Sequence, residues 1–251
     1  MGYRGALSFC RECGAPWTEG ASACTRCGTE RTQPAAPSEG MSSSRGLASA
    51  AMLYGMLLVT VLVPYLVLEG DVIDTLDTIL ILDTLVVAIW AIVHRHDVLG
   101  PLRRLGELRY WAITLAAVPL TVAIAYANSW LAIDVLGAAD ADLIAWYLAA
   151  GRSLPVVLLL AALQPAVVEE LAFRGVIFER LSPVVEPKTA VLVSAAAFTI
   201  LHLSLLSVVF LMTLGLLAGW LRWRSGSLYP AIALHLLHNA TVALLVHAGI
   251  W

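Results

Sequence analysis

The chain has 251 residues, of which 60% are hydrophobic and only 13% charged, with a formal net charge of −3 and a mean hydropathy of +0.84. Soluble domains carry roughly twice that share of charge, so too little polar surface is left for a particle in water, and the composition reads as an integral membrane protein. A disordered tail and a secreted disulfide scaffold are excluded for the bulk of the chain, and with no basic footprint a nucleic-acid partner is not expected.

All four cysteines lie before residue 28. Cys10-x2-Cys13 and Cys24-x2-Cys27 form two knuckles at structural-zinc spacing, each followed by a glycine, Gly14 and Gly28. The stretch CRECGAPWTEGASACTRCGTE resembles the short zinc-ribbon family, and about twenty residues cannot bury a core, so structural Zn²⁺ would supply the folding energy. Two disulfides are the alternative reading. Met1 to Phe9 lacks an apolar core of useful length, so no signal peptide is expected. The domain reading is a zinc ribbon over residues 1–32, a Pro/Ser/Gly linker over 33–46, and a membrane domain over 47–251.

A helix needs about 20 apolar residues to cross ~30 Å of hydrocarbon. Such runs are read at Leu47–Leu68, Val72–Val93, Tyr110–Leu131, Leu154–Phe178, Thr189–Leu203, Leu205–Leu221 and Leu228–Gly249. The fifth and sixth are short, and Asp140–Ala150 reads as interfacial. The expected fold is all-α: a polytopic bundle of about seven spans with a small N-terminal zinc ribbon. Arg95, Arg103, Arg104 and Arg109 mark one loop as cytoplasmic. Alternation then places Arg180, Lys188, Arg222, Arg224 and the N-terminus on the same side, in a cell (inner) membrane. That compartment is reducing, which favours zinc over disulfides.

Ionisable groups inside spans default to function. Glu169 and Glu170 sit in QPAVVEELAFRG. Glu170 and Arg174 share a helical face (i, i+4) and neutralise each other, leaving Glu169 without a local partner. A structural ion-pair network is the plain alternative. Phe198-x3-His202 lies on the next run, and His235 and Asn239 lie at i, i+4 on the last. His238 and His247 read as ordinary structural histidines. Gly215-x3-Gly219 reads as a small-residue packing stripe. Asp74 and Asp77 read as interfacial, and Asp83 as an inner polar contact.

In that order, EELAFRG, Phe198-x3-His202 and HLLHN resemble the CAAX prenyl endopeptidase and bacteriocin-processing (CPBP) family, whose motifs are EExxxR, FxxxH and HxxxN or HxxxD. The resemblance covers about residues 150–245, and every motif position is filled. It implies an intramembrane endopeptidase of the glutamic type, acting on membrane-associated proteins or peptides. Glu169 would be the general base that activates water, helped by His202, with His235 and Asn239 as the oxyanion hole. Glu170 and Arg174 would brace the site, and Phe198 would pack beneath it. Neutral Asn and His suit a developing oxyanion because they add no charge.

Three alternatives stay open. Glu169, His202 and His235 are also the ligand types of a catalytic His₂Glu zinc site, although no HExxH is present. A non-catalytic scaffold or self-immunity protein would bind a cytoplasmic partner through the ribbon. A transporter fits less well, since paired broken helices in two halves are absent.

Overall fold

The computed structural model describes residues 21–28, 39–68, 71–138 and 143–251. Cys10 and Cys13, and with them half of the expected ribbon, lie outside the described residues. Among those described, Cys24 is buried and Cys27 exposed. A turn closed by Gly28 N–H donating to Cys24 O at 2.8 Å joins them. Gly28 has φ +72, a left-handed backbone that glycine adopts without a Cβ clash.

The membrane part is helical. Helix α1 covers Glu39–Val67 and α2 covers Val72–Val93. Asp71 caps α2, its carboxylate accepting from Ile73 N–H, which satisfies one of the free amides at a helix start. Short α3 (Arg95–Leu102) leads to α4 (Leu108–Trp130), which continues as a π-helical turn over Leu131–Val135. Helix α5 (Leu143–Ala149) is short. The composite helix α6 (Leu154–Leu181) follows, then α7 (Pro187–Leu201), α8 (Val208–Ser225) and α9 (Tyr229–His247).

Two expectations are modified. The first helix starts at Glu39, so the segment read as linker up to residue 46 is helical in its last eight positions; extending an existing helix costs far less than nucleating one. Seven spans were expected; among the described residues five helices are long and apolar enough to cross a membrane: α2, α6, α9, the 44–67 part of α1, and α4 with its π turn. Helix α7 has 15 residues, about 22 Å at 1.5 Å per residue, short of the hydrocarbon thickness. It ends where Leu203 turns left-handed at φ 51, the one non-glycine residue so placed among those described.

Helices α7 and α8 are pressed together through the glycine stripe. A Cβ on Gly215 would stand 3.1 Å from the Ala195 Cβ, and one on Gly219 would stand 3.1 Å from Val191 Cγ1. At such separations even a methyl group would force its neighbours to shift by a few tenths of an ångström, so glycine lets the helix backbones approach closely.

Charged connectors gather at the two ends. At one end Arg180 pairs with Asp97 at 2.6 Å and Arg222 with Glu179 at 2.6 Å, while Ser227 donates to the Arg104 carbonyl. At the other, Asp77 accepts from Arg152 at 2.6 Å and from the Tyr147 hydroxyl at 2.9 Å. Asp77, read from the sequence as interfacial, is thus paired with a cation and a hydroxyl from the α5 region.

Candidate active site

Helix α6 is not a regular α-helix. It widens into π-helical geometry over Leu159–Leu163 and again over Leu171–Ile177, with α-helical Gln164–Glu170 between. Single π turns displace carbonyls from the regular ladder and are frequent at functional sites. Inside a membrane every such carbonyl needs a donor, and here neighbouring helices supply them. Asn239 of α9 donates to Ala161 O at 3.0 Å, Ser194 of α7 to Phe173 O at 2.9 Å, and Arg222 of α8 to Arg174 O at 3.2 Å. Three helices therefore hold the segment that carries both glutamates. Gly175 completes the fit, because a Cβ there would lie 2.9 Å from Val98 Cγ1.

Glu170 and Arg174 are fully buried. Arg174 Nη1 donates to Glu170 Oε1 at 2.8 Å, and Nη2 donates to Gly215 O at 2.9 Å. The glycine stripe, read from sequence as packing alone, thus also brings a backbone acceptor to the arginine. His235 Nδ1 lies 3.1 Å from the same Glu170 Oε1. With Arg174 beside it the carboxylate is the acceptor, so the ring nitrogen carries the hydrogen.

Glu169 faces the other way, toward two imidazoles. Its Oε2 lies 4.0 Å from His202 Nε2 and 3.9 Å from His235 Nε2. His202 Nδ1 lies 2.8 Å from Phe198 O; a carbonyl only accepts, so this Nδ1 also carries the hydrogen. In their neutral forms both Nε2 atoms consequently present lone pairs toward a carboxylate. Glu169 Oε2 is buried and has no hydrogen-bond partner. Three acceptors converge on a point that lacks a donor, which a water molecule or ring protons would fill.

The Phe198 ring is the floor. Its centroid is 4.7 Å from that of His202, 5.9 Å from His235 and 5.5 Å from Phe173. The Arg174 guanidinium lies over it at 4.8 Å. His238 stands apart: its Nδ1 is 3.1 Å from Thr121 Oγ1 and its ring stacks on Phe210. Asn239 lines a cavity of about 350 Å³ together with His238, Ser204 and Ser207, and its recorded hydrogen bond goes to Ala161 rather than to the Glu169 cluster. Among the described residues no three His, Cys, Asp or Glu side chains are grouped to hold a metal ion.

Sequence reasoning missed the two π-helical turns and their external donors, Ser194 and Arg222. No local signal marks a π turn. Asp83 was noticed without a partner; in the structure Thr60 of α1 donates to it.

No curated protein and no solved structure matches the chain. Residues 151–241, which contain α6, α7, α8 and the first two thirds of α9, match the family model described as Type II CAAX prenyl endopeptidase Rce1-like. At the family level this portion of the chain is therefore similar to CAAX-type membrane endopeptidases, on a multi-pass helical frame.

Proposed function

We propose that the protein is an intramembrane endopeptidase in which Glu169 activates water to hydrolyse peptide bonds of membrane-associated proteins or peptides. The observation that carries this reading is the unpartnered Glu169 Oε2, 3.9 and 4.0 Å from two imidazole nitrogens. A water held there donates to Glu169 and, as its oxygen bonds to the substrate carbonyl carbon, gives up that proton to the carboxylate. The carbonyl π electrons move to oxygen. The second amide hydrogen of Asn239 donates to that oxyanion, and His235 Nε2 joins it when the ring carries a second proton, its Nδ1 hydrogen being held by Glu170. The oxyanion electrons then re-form the carbonyl and the C–N bond breaks as Glu169 passes the proton it took from water to the leaving nitrogen.

The ribbon cysteines Cys10, Cys13, Cys24 and Cys27 would hold one structural Zn²⁺, and the ribbon would dock a cytoplasmic partner. The Cys24–Gly28 turn supports the second knuckle, since it reverses the chain between two thiols. The N-terminus would then face the cytoplasm.

The test is Glu169→Gln in the full chain, with new peptide termini counted in membranes that hold either form. Termini present with the parent and lost with the variant are expected. Equal cleavage by both would leave a scaffold or self-immunity role. Zinc content separates the metal alternative: one ion per chain, lost on Cys24→Ser, is expected. A second ion lost on His202→Ala and required for cleavage would establish a His₂Glu metalloprotease.

A further inference from the structure

Helices α4 and α9 lie side by side and run the same way. Thr114 donates to Pro230 O at 3.3 Å, Thr121 Oγ1 meets His238 Nδ1 at 3.1 Å, and the Tyr126 ring stands edge-on to Trp251 with centroids 5.3 Å apart. The last of these contacts depends on how α9 ends. Gly249 is left-handed at φ +67; its N–H donates to Val246 O, and Ile250 N–H donates to Leu245 O, both at 3.0 Å. That is a Schellman closure, which turns the chain back and lays Trp251 against α4.

A cavity of about 200 Å³ opens beside this aromatic pair. Its wall carries the rings of Tyr126, Trp130 and Trp251, the Ser129 hydroxyl and the Asp134 carboxylate, and it includes no Lys, Arg or His. Tyr126, Trp130 and Asp134 follow one another at i, i+4 and i+8 along α4 and its π turn. Aromatic faces and a carboxylate both attract a cation. The last carbonyls of α4 and α9 point to the same end and add the negative ends of two helix dipoles. Below the cavity the two helices leave an apolar groove of about 510 Å³, whose walls include Val118, Val122, Ala123 and Leu245. Tyr126, Ile250 and Trp251 line both spaces. From Tyr126 down to Val118 the groove descends about 12 Å at 1.5 Å per residue, to the middle of α4.

We propose that this is a phospholipid site: the ammonium of an aminophospholipid headgroup sits among Tyr126, Trp130, Trp251 and Asp134, and one acyl chain lies in the α4–α9 groove. A cation-attracting cavity at the helix ends, continuous with an apolar groove toward mid-span, matches an amphiphile aligned with the bilayer normal. Ser129 supplies a hydroxyl donor on the same wall for the lipid phosphate. A headgroup without the ammonium would bring only negative charge to Asp134 and the two helix ends, so the site discriminates by charge. The cavity that Asn239 lines shares Ser129 and Trp251 with this one, so the bound lipid borders the candidate active site.

The experiment counts bound lipid and needs no peptide substrate. The full chain in maltoside micelles is titrated with dioleoyl phosphatidylethanolamine or dioleoyl phosphatidylglycerol, and retained lipid is read by native mass spectrometry. The wild type should hold the ethanolamine lipid about fivefold more tightly, the scale of one exposed ion pair or cation–π contact. Asp134→Asn should remove most of that preference, and Trp130→Leu should reduce it about twofold. Ala123→Trp, which fills the groove, should weaken both lipids alike and keep the preference. Equal retention of the two lipids by the wild type, or a preference that survives Asp134→Asn, overturns the proposal; the wild-type comparison decides the matter even if a variant does not fold. Phosphoethanolamine without acyl chains, at the concentration of the lipid, should leave the lipid bound. Displacement by it would make the cavity a small-amine pocket and overturn the lipid assignment.

Discussion

Helices α2 and α6 are both apolar and long enough to span a membrane, yet only 11% of the α2 window is buried against 50% of the α6 window. The same hydropathy therefore serves two different tasks. Helix α2 presents most of its surface outward, with Ile81, Leu85, Ile89 and Ile92 all exposed, and its ladder is regular. Helix α6 is enclosed by its neighbours, twice widened, and braced by donors from three other helices. A lipid-facing helix must satisfy its own backbone, whereas an enclosed one can surrender hydrogen bonds to neighbours and so re-aim its side chains. Irregularity at membrane depth is affordable where protein surrounds it.

The sharpest way to break this contrast is at the two adjacent glutamates of α6. Glu169→Gln should abolish cleavage and leave thermal unfolding in detergent unchanged, because the lost oxygen has no hydrogen-bond partner. Glu170→Gln removes the partner of a fully buried arginine and should destabilise by about 3–5 kcal/mol, the cost of stranding a buried charge. Equal stability losses in the two variants would make the pair a single structural network.

Asn239 tests whether a π-turn donor also serves chemistry. If its second amide hydrogen meets the oxyanion, Asn239→Ala should lower turnover by about 10²–10³ with KM nearly unchanged. If it acts only as the brace of Ala161 O, unfolding temperature and turnover should fall together, and Ser194→Ala, which frees Phe173 O, should show the same pattern.

How much of this could be read in advance differs between the same two helices. Five of the seven expected spans were legible as long apolar runs, and so was the Glu170–Arg174 pair, because i, i+4 spacing is a local property and both partners lie on one helix. The convergence of Glu169 on His202 and His235 was expected through family resemblance, since those residues are far apart in sequence. The π turns were not legible, because their stability comes from donors on other helices and leaves no periodic trace. Asp83 stood out as a mid-span charge, but its neighbours on α1 and α6 are non-local. The helical start at Glu39 was missed for the opposite reason: local Pro, Gly and Ser signals favoured a linker, and continuation of a long helix overrode them.

A smaller effect is expected at the α7–α8 contact. Gly215→Ala places a methyl 3.1 Å from the Ala195 Cβ and 3.2 Å from its Cα, where the obstacle includes backbone and cannot rotate away. The helices must separate, at about 1–3 kcal/mol for overpacking. Separation would also draw Gly215 O from Arg174 Nη2, so activity should fall along with stability. A neutral result in both assays would mean that α7 and α8 are less tightly joined than the 3.1 Å approach implies.

The smallest effect belongs to the outer face of α2. Ile89 is 60% exposed, and in a bilayer that exposure is to acyl chains, which are as apolar as the side chain itself. Removing it forfeits no hydrophobic transfer energy, and no packed neighbours are left facing a void. Ile89→Ala should therefore change unfolding stability by less than about 0.5 kcal/mol, as surface substitutions do. Val87, two positions earlier and only 2% exposed, points to the opposite side of the helix and supplies the control. Val87→Ala leaves a gap among packed side chains and should cost about 1–2 kcal/mol, chiefly as lost contact. The ratio of these two losses measures how one-sided α2 is. If Ile89→Ala costs as much as Val87→Ala, the outer face of α2 is covered by protein, and a second chain would be the first candidate to look for by cross-linking through that face.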